Sequence, residues 1–339
     1  MKKVLFLIFF GITFCEAQIS DFETIDFNLA DNIAKLHKGA SLKDMGKLVY
    51  NLTHKLSTDI EKFRAIHTWV CQNITGDYSQ HTRALNKRRR LKDNNKAFLI
   101  WNEKYKKRAF KKLIKRKRTM CTGYAYIIRE LCFLAGIEAK IIDGYARTAE
   151  SNIQSLDFAN HSWNAIKLNN KWYLCDATWA AGYLDENAMF IEDYNEGYFL
   201  ADPLLFSKNH IPIKRKWLLN NELIKSEFNA GPIIYGEAFT HNATPIFPEN
   251  LKVEAQKGSA LEFILKANDI NTKKISLLHT FRKGERKLEI ENITYKNGYL
   301  SFSHNFKHIG YYDVHIQIEN DIVASYTIHV TKAYSQVLP

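Results

Sequence analysis

Apolar residues at Ile60, Phe63, Ile66, Trp69, Val70 and Ile74 recur at helical spacing, so one face of this segment is expected to pack inward. Thr58 and Glu61 are spaced as a capping box at its start, and Gly76-Asp77 are expected to end it. The whole stretch from 19 to about 80 reads as helical. A second apolar run, residues 121 to 135, places Ala125, Ile128, Leu131, Cys132 and Ala135 on one face and Tyr124, Ile127 and Leu134 on the other. A helix apolar nearly all round is a buried, central one, and Gly136 suits its C-terminus. The pattern then shortens to strand-like runs at Ala139 to Ile142, Ser162 to Leu168 and Trp172 to Thr178, followed by an aromatic-rich, irregular or helical stretch to about 230. From about 235 short alternating runs dominate: Leu251–Ala255, Leu261–Lys266, Lys274–Thr280, Lys287–Glu291, Leu300–His304, Tyr312–Ile318 and Ile322–Val330. That rhythm predicts an all-β sandwich of immunoglobulin type, with no cysteine to pin its sheets.

Length and charge sharpen this division. The chain has 339 residues, 46% of them hydrophobic and 13% aromatic, enough to fill real cores and to exclude global disorder. Its formal charge of +12 is unevenly spread: Lys87 to Arg118 holds 16 Lys and Arg against Asp93 and Glu103, a local +14. Residues 1–17 read as a secretory signal, with Lys2 and Lys3, an apolar run from Val4 to Phe14, and small residues at Cys15 and Ala17 before a cut at Gln18. Acylation of Cys15 is the weaker reading, because bulky Phe14 precedes it. No later run approaches the ~18–20 apolar residues of a membrane helix, so the protein is expected to be exported and soluble. The expected organisation is a signal at 1–17, an α+β domain at 18–232 with a basic insertion at 83–118, and a sandwich at 235–335.

Four cysteines follow the signal: Cys71, Cys121, Cys132 and Cys175. Cys121 and Cys132 would stand about 16 Å apart on one helix, too far to bridge. Cys121 lies where the basic run stops and the central helix begins. A helix N-terminus favours an anion, and Arg118 and its neighbours are expected to add to that effect if they lie close. Downstream, Asn169-Asn170 suits a two-residue hairpin turn, since Asn tolerates positive φ. That turn pairs Leu168 with Lys171, His161 with Thr178 and Trp163 with Asp176. His161 and Asp176 then share a face as diagonal neighbours, so a carboxylate can hold one imidazole nitrogen and leave the other free. Cys121, His161 and Asp176 thus have the order and setting of a Cys–His–carboxylate triad.

At these residues the sequence resembles the transglutaminase-like superfamily. Cys121-Thr122-Gly123-Tyr124-Ala125 matches its C-x-G-Y-A signature; Asn160-His161-Ser162-Trp163-Asn164-Ala165 and Trp172-Tyr173-Leu174-Cys175-Asp176-Ala177-Thr178-Trp179 match its two strand motifs. The helix from Thr58 to Ile74 and the stretch Tyr198-Phe199-Leu200…Pro203…His210-Ile211-Pro212 look like the kyphoscoliosis-peptidase branch and its bacterial relatives. The likeness spans roughly residues 40 to 215. It implies a papain-like α+β core with Cys121 as nucleophile, His161 as general base then acid, and Asp176 as orienting carboxylate. The long basic insertion departs from the family's short link at that place, and Ser162 stands where the family usually has Ala. No side-chain oxyanion donor is assignable.

The implied function is an exported thiol enzyme that breaks or transfers an amide or acyl bond of a protein or peptide substrate, with peptidase or amidase action favoured. A protein-crosslinking transglutaminase is the enzymatic alternative. A non-catalytic scaffold held on an anionic surface is the alternative of another class. Residues 87–118 are read as a surface insertion, with Arg88-Arg89-Arg90 and Lys115-Arg116-Lys117-Arg118 solvated. Lipid headgroups or acidic polysaccharide are possible contacts for it, and export argues against nucleic acid. Cys71, Cys132 and Cys175 are read as packing, Trp163, Trp172 and Trp179 as core, and His210 as structural. The acidic group Asp185, Glu186, Glu192, Asp193 and Glu196 lacks a calcium-loop pattern and reads as a solvated face. Neither a phosphate loop nor zinc spacing is present, so no metal or cofactor is expected.

Overall fold

Capping residues and apolar stripes set the first helices. The computed structural model describes residues 19–148, 159–185, 187–219, 225–267, 270–282 and 284–332, so the expected signal, Cys15 and Glu186 lie outside the described residues. Helix α1 (Asn28–Leu36) buries Ala30, Ile33 and Ala34. Helix α2 (Met45–Thr53) starts where the Asp44 side chain accepts from Lys47 N at 2.9 Å. Helix α3 (Asp59–Asn73) has the expected capping box, with Glu61 N donating to Thr58 Oγ1 and Thr58 N to Glu61 Oε2. Its Phe63, Ile66, Trp69 and Val70 are fully buried, and Arg64 is tied to Asp31 through two bonds of 2.8 and 2.9 Å.

Gly76-Asp77 does end α3, but as the start of something else. Strand β1 (Thr75–Gly76) pairs in parallel with β2 (Arg118–Thr119), which closes the base of a helical hairpin. The hairpin is α4 (Tyr78–Arg90), capped by Asp77, and the 22-residue α5 (Asn95–Arg116), capped by Asn94. The basic segment is therefore helical almost throughout and begins at 78, five residues before the expected 83. Its mean hydropathy is too low for the apolar periodicity to announce a helix; side-chain caps at Asp77 and Asn94 define it instead. Lys112 on α5 forms an ion pair with the buried Asp77 carboxylate, which holds the two arms together at the base.

Helix α6 (Cys121–Leu134) is central, with Tyr124, Ile127, Ile128, Leu131 and Cys132 buried and with Phe133 and Leu134 of its last turn exposed. Gly136 takes φ 78° just past its end. Strands β3 (Ala139–Ala146), β4 (His161–Leu168) and β5 (Lys171–Cys175) form an antiparallel meander against which α6 packs. The chain continues through a one-turn helix α7 (Ala177–Ala180), a ribbon of β6 (Gly182–Leu184) and β7 (Phe190–Glu192), and α8 (Pro203–Asn209). Strand β8 (His210–Pro212) then pairs with β3, giving the order β5-β4-β3-β8. The stretch expected to be irregular or helical thus contributes the fourth strand.

After α9 (Lys225–Ala230), β9 (Ile233–Ile234) and α10 (Gly236–Thr240), the chain is all β. Strands β10 (Ala243–Phe247), β11 (Lys252–Gln256), β12 (Ala260–Ala267), β13 (Ile275–Phe281), β14 (Gly284–Leu288), β15 (Glu291–Lys296), β16 (Tyr299–Asn305), β17 (Gly310–Ile318) and β18 (Asp321–Thr331) make two sheets. Their orders are β10-β12-β16-β15 and β11-β18-β17-β13-β14, with β9 added to β18. Phe263 packs on Phe302 at 5.4 Å within one sheet and on Tyr326 of the other at 5.7 Å, so the two inner faces share a core. The run Lys287–Glu291, expected as one strand, straddles two. Strand β14 pairs with β13 in one sheet, and β15 crosses to β16 in the other. Both are exposed along most of their length, so no alternation marked the crossing.

Candidate active site

Cys121 is the first residue of α6, and Met120 before it supplies no side-chain cap. The N–H groups of Cys121 and Thr122 therefore have no intrahelical acceptor, whereas Gly123 N already donates to Met120 O at 2.8 Å. Two neighbours in the C-x-G-Y motif fix this start. A Cβ on Gly123 would meet Thr119 Oγ1 at 1.9 Å, so only glycine lets α6 begin directly over β2. Tyr124 Oη donates to Ile74 O at 2.5 Å, which ties α6 to the end of α3. Cys121 is half-buried, whereas Cys71, Cys132 and Cys175 are buried, and all four are free thiols.

The hairpin that carries the other two residues turns at Asn169 and Asn170, with φ of 48° and 64°. Both values match a type I′ turn. Pairing runs as the spacing predicts from Leu168↔Lys171 to Asn164↔Cys175. It stops there, because Asp176 leaves the ladder to cap α7, its Oδ1 accepting from Thr178 N at 2.8 Å and Trp179 N at 3.4 Å. The expected pairs His161↔Thr178 and Trp163↔Asp176 do not form. A carboxylate that satisfies two helix N–H groups outweighs the β preference of the residues after it. Its other oxygen, Oδ2, is 2.6 Å from His161 Nε2. The spacing thus brought the two residues together, while the cap decided which carboxylate oxygen serves which partner.

With Nε2 engaged by Asp176, Nδ1 is the imidazole nitrogen left for the Cys121 thiol. Burial opposes ionisation of Cys121, but the hydrogen bond and charge of His161, with the Ser162 backbone N–H, outweigh it and lower the thiol below its ordinary range. Burial also disfavours a charged His161; the charge and hydrogen bond of Asp176, aided by Cys121, raise it to about 10. Asp176 is fully buried, yet His161 and His210 hold it well below the usual carboxylate range. Both shifts favour the thiolate–imidazolium form of the pair over the neutral one.

His210, read from the sequence as structural, is buried against the triad carboxylate. It opens β8, and its Nε2 donates to the same Asp176 Oδ2 at 3.2 Å. Burial pushes its pKa down to about 4 against the pull of Asp176, so it is neutral. A neutral ring that donates through Nε2 must accept at Nδ1, and the Asn209 side-chain oxygen stands 2.6 Å from Nδ1 while its buried amide nitrogen has no partner. Turning that amide over satisfies both groups. The signal was available in the H-x-P stretch, but only the return of β8 to β3 shows what His210 touches. Aromatic rings close the back of the site: Trp179 lies 5.1 Å and Trp163 6.1 Å from the His161 ring. Trp163 is buried, as expected for core, and Trp172 packs on Trp217 away from the triad.

His161, Asp176 and His210 place donor atoms within 4.8 Å of one another. They do not fit a metal. A tetrahedral zinc holds donors about 2.0–2.1 Å from itself, hence about 3.3 Å apart, whereas His161 Nε2 and Asp176 Oδ2 are 2.6 Å apart in a direct hydrogen bond.

The charges near Cys121 also differ from expectation. Arg118, expected to lie close to the thiol, is exposed. Arg88, expected to be solvated, is half-buried and senses the charge of Cys121. Its Nη2 donates to Ala159 O at 2.7 Å, two residues before His161. The helical phase of α4 turns Arg88 inward while Arg89 and Arg90 stay exposed.

Residues 46–177 match a family model described as the transglutaminase-like superfamily. The chain is 29% identical over 229 residues to the kyphoscoliosis peptidase of Homo sapiens, covering 62% of this chain and 30% of that protein. It is 27% identical over 266 residues to the kyphoscoliosis peptidase of Mus musculus, covering 73% of this chain and 36% of the other. Hillarin of Drosophila melanogaster is 26% identical over 229 residues, with 25% of its length covered. The chain thus spans about a third of the length of the curated relatives it matches. The Lin-41 filamin domain, 98% covered at 15% identity, has a TM-score of 0.23; the sandwich described above stands on its own strand order. No helix among the described residues is long and apolar enough to cross a membrane. Segment 46–177 is thus a transglutaminase-like domain, and the chain that carries it is similar to the kyphoscoliosis peptidases.

Proposed function

We propose that this protein is a thiol hydrolase that cleaves an amide bond of a protein or peptide through an acyl-Cys121 intermediate. The observation that carries the reading is the linked set Cys121–His161–Asp176 with Asp176 Oδ2 at 2.6 Å from His161 Nε2, at an uncapped helix start. Cys121 Sγ, as the thiolate, attacks the carbonyl carbon and forms a C–S bond. The backbone N–H groups at the start of α6 are suited to hold the oxyanion. Collapse breaks the C–N bond, and the leaving amine takes the proton from His161. Water then attacks the thioester with His161 as base, the acid leaves, and the thiolate–imidazolium pair returns. Asp176 orients the ring and stabilises its charged form; His210 holds Asp176 in place.

Hydrolysis is favoured over amine transfer by the likeness to proteins named kyphoscoliosis peptidase. The first half-reaction is common to both, so the acceptor decides. Purified protein offered a glutamine-containing protein, with and without a labelled primary amine, should release a new terminus or a free acid and incorporate no label. Amine incorporation that is lost in Cys121→Ala would instead assign crosslinking. Loss of both activities, with Cys121 alkylated no faster than Cys132, would leave a non-catalytic scaffold.

A further inference from the structure

The outward side of α5 carries two kinds of group that the packing of the hairpin does not use. On the inward side Phe98 and Leu113 are buried, Trp101 stacks on Tyr105 at 4.8 Å, and Phe110 stacks on Tyr126 of α6 at 4.3 Å. Facing outward, Lys96, Ile100, Lys104, Lys107 and Lys111 recur three or four residues apart, and all are exposed. Leu99 stands beside Ile100 near the tip of the hairpin; the two are 53% and 51% exposed. Helix α5 has nine Lys and Arg against Glu103 alone, and the tip adds the exposed Arg89, Arg90 and Lys92. Among the described residues the ion pairs of this hairpin are Lys106–Glu103 and Lys112–Asp77, so the four outward lysines have no carboxylate partner.

This combination selects among anionic partners. Single-stranded nucleic acid is held on exposed aromatic faces beside cations. Here the aromatics of the hairpin are spent on one another and on α6, and Lys87 Nζ lies 5.9 Å from the Trp101 ring. An acidic polysaccharide presents hydrated hydroxyls and charges, which give an exposed leucine and isoleucine nothing to bury against. An anionic bilayer satisfies both groups at once. Its headgroups attract the lysines, whose long stems lie along the boundary, and its acyl region takes the aliphatic side chains.

We propose that the outward face of α5 docks on an anionic lipid surface, with Lys96, Lys104, Lys107 and Lys111 at the headgroups and Leu99 and Ile100 entering the acyl boundary. The residues that dock lie outside the triad, so the proposal does not depend on the thiol chemistry.

Co-sedimentation of the full-length protein with vesicles tests this. At about 0.1 M salt the protein should partition onto vesicles of phosphatidylcholine and phosphatidylglycerol in equal parts, and about tenfold or more weakly onto phosphatidylcholine alone. Replacing Lys104→Gln, Lys107→Gln and Lys111→Gln together should weaken partition about tenfold or more. Lys252→Gln, Lys257→Gln and Lys307→Gln remove the same charge from exposed positions of the sandwich and should leave it near wild type. Leu99→Ser with Ile100→Ser should weaken it about tenfold or more at unchanged charge. If that pair does not fold, Ile100→Trp serves: its added fluorescence should be quenched by lipids brominated on the acyl chains. Cys121 alkylation in solution should be the same in every variant. Absence of partition onto anionic vesicles overturns the proposal, and so does an equal loss in the sandwich variant, since the effect would then be net charge. Partition that ignores Leu99→Ser with Ile100→Ser, or an Ile100→Trp signal that is not quenched, also overturns it. Tighter capture by heparin or by a single-stranded oligonucleotide, indifferent to Leu99 and Ile100, would assign polysaccharide or nucleic acid instead.

Discussion

The Asp176 carboxylate divides its two oxygens between two tasks: Oδ2 meets His161 Nε2 at 2.6 Å, and Oδ1 caps α7 through Thr178 N at 2.8 Å. One buried side chain thus sets both the direction of the chain after β5 and the charge state of the imidazole.

Asp176→Asn separates the two tasks. Asparagine caps a helix about as well as aspartate, so the fold should persist with a cooperative melt. The charge that sustains the His161 imidazolium is gone, so the thiolate population should drop. Alkylation of Cys121 by iodoacetamide at pH 6 should slow by about tenfold or more, the scale of one pKa unit or more. A rate equal to wild type would remove Asp176 from the charge balance. Asp176→Ala should cost about 1 kcal/mol more than the Asn variant in urea unfolding, because the cap is lost as well.

The pH dependence follows from the directions of the shifts. Cys121 lies below its ordinary thiol range and His161 near 10. Alkylation should therefore appear at acid pH and persist through the alkaline side, since the thiolate remains when His161 loses its proton. Amide turnover needs that proton for the leaving amine, so it should fall as pH rises through about 10. For stability the signs are opposite for the two partners. His161, raised in the folded state, contributes fully below about 6.5, and this is lost as pH rises through about 10. Asp176, depressed, contributes above about 3.9, and this is lost as pH falls. Urea titrations across pH should show both flanks; a stability flat from pH 4 to 10 would contradict the ion pair.

His210→Phe should retain the stacking on Phe206, whose ring is 4.0 Å away, but it removes the donor to Asp176. The expected loss is about 1.5–3 kcal/mol of stability, the range for a hydrogen bond to a charged group. Turnover should fall in kcat with KM little changed, and His210→Gln should recover part of it. An unchanged kcat would make His210 a packing residue only.

Gly123→Ala places a Cβ 1.9 Å from Thr119 Oγ1, so β2 or the start of α6 must shift. Overpacking of this kind costs about 1–3 kcal/mol. The same shift should slow Cys121 alkylation, because the thiol's distance to His161 is set by where α6 begins. A variant that is destabilised but alkylates normally would separate packing from reactivity.

Local features of the chain were readable wherever one short-range rule governed them. The capping box at Thr58 and Glu61, the positive-φ turn at Asn169-Asn170 and the register from Leu168↔Lys171 onward each depend on a few adjacent residues. The α4–α5 hairpin was only half legible, because its residues are mostly charged and its caps carry the signal that the apolar pattern lacks. The crossing between β14 and β15 was hidden for the same reason: exposed strands on both sides leave no alternation.

The sequence by itself determined the pieces of the site: a cysteine at a helix start, a hairpin that puts His161 and Asp176 within reach, and the family to which these belong. Tertiary structure alone decided what surrounds them. It bent the chain at Asp176 into a cap, returned β8 so that His210 shares the same carboxylate, and turned Arg88 inward onto Ala159 O while Arg118 stays exposed. The reason is physical. Caps and turns are fixed by neighbours along the chain, whereas burial and electrostatic pairing depend on which distant elements pack together, and that packing is settled only by the whole core.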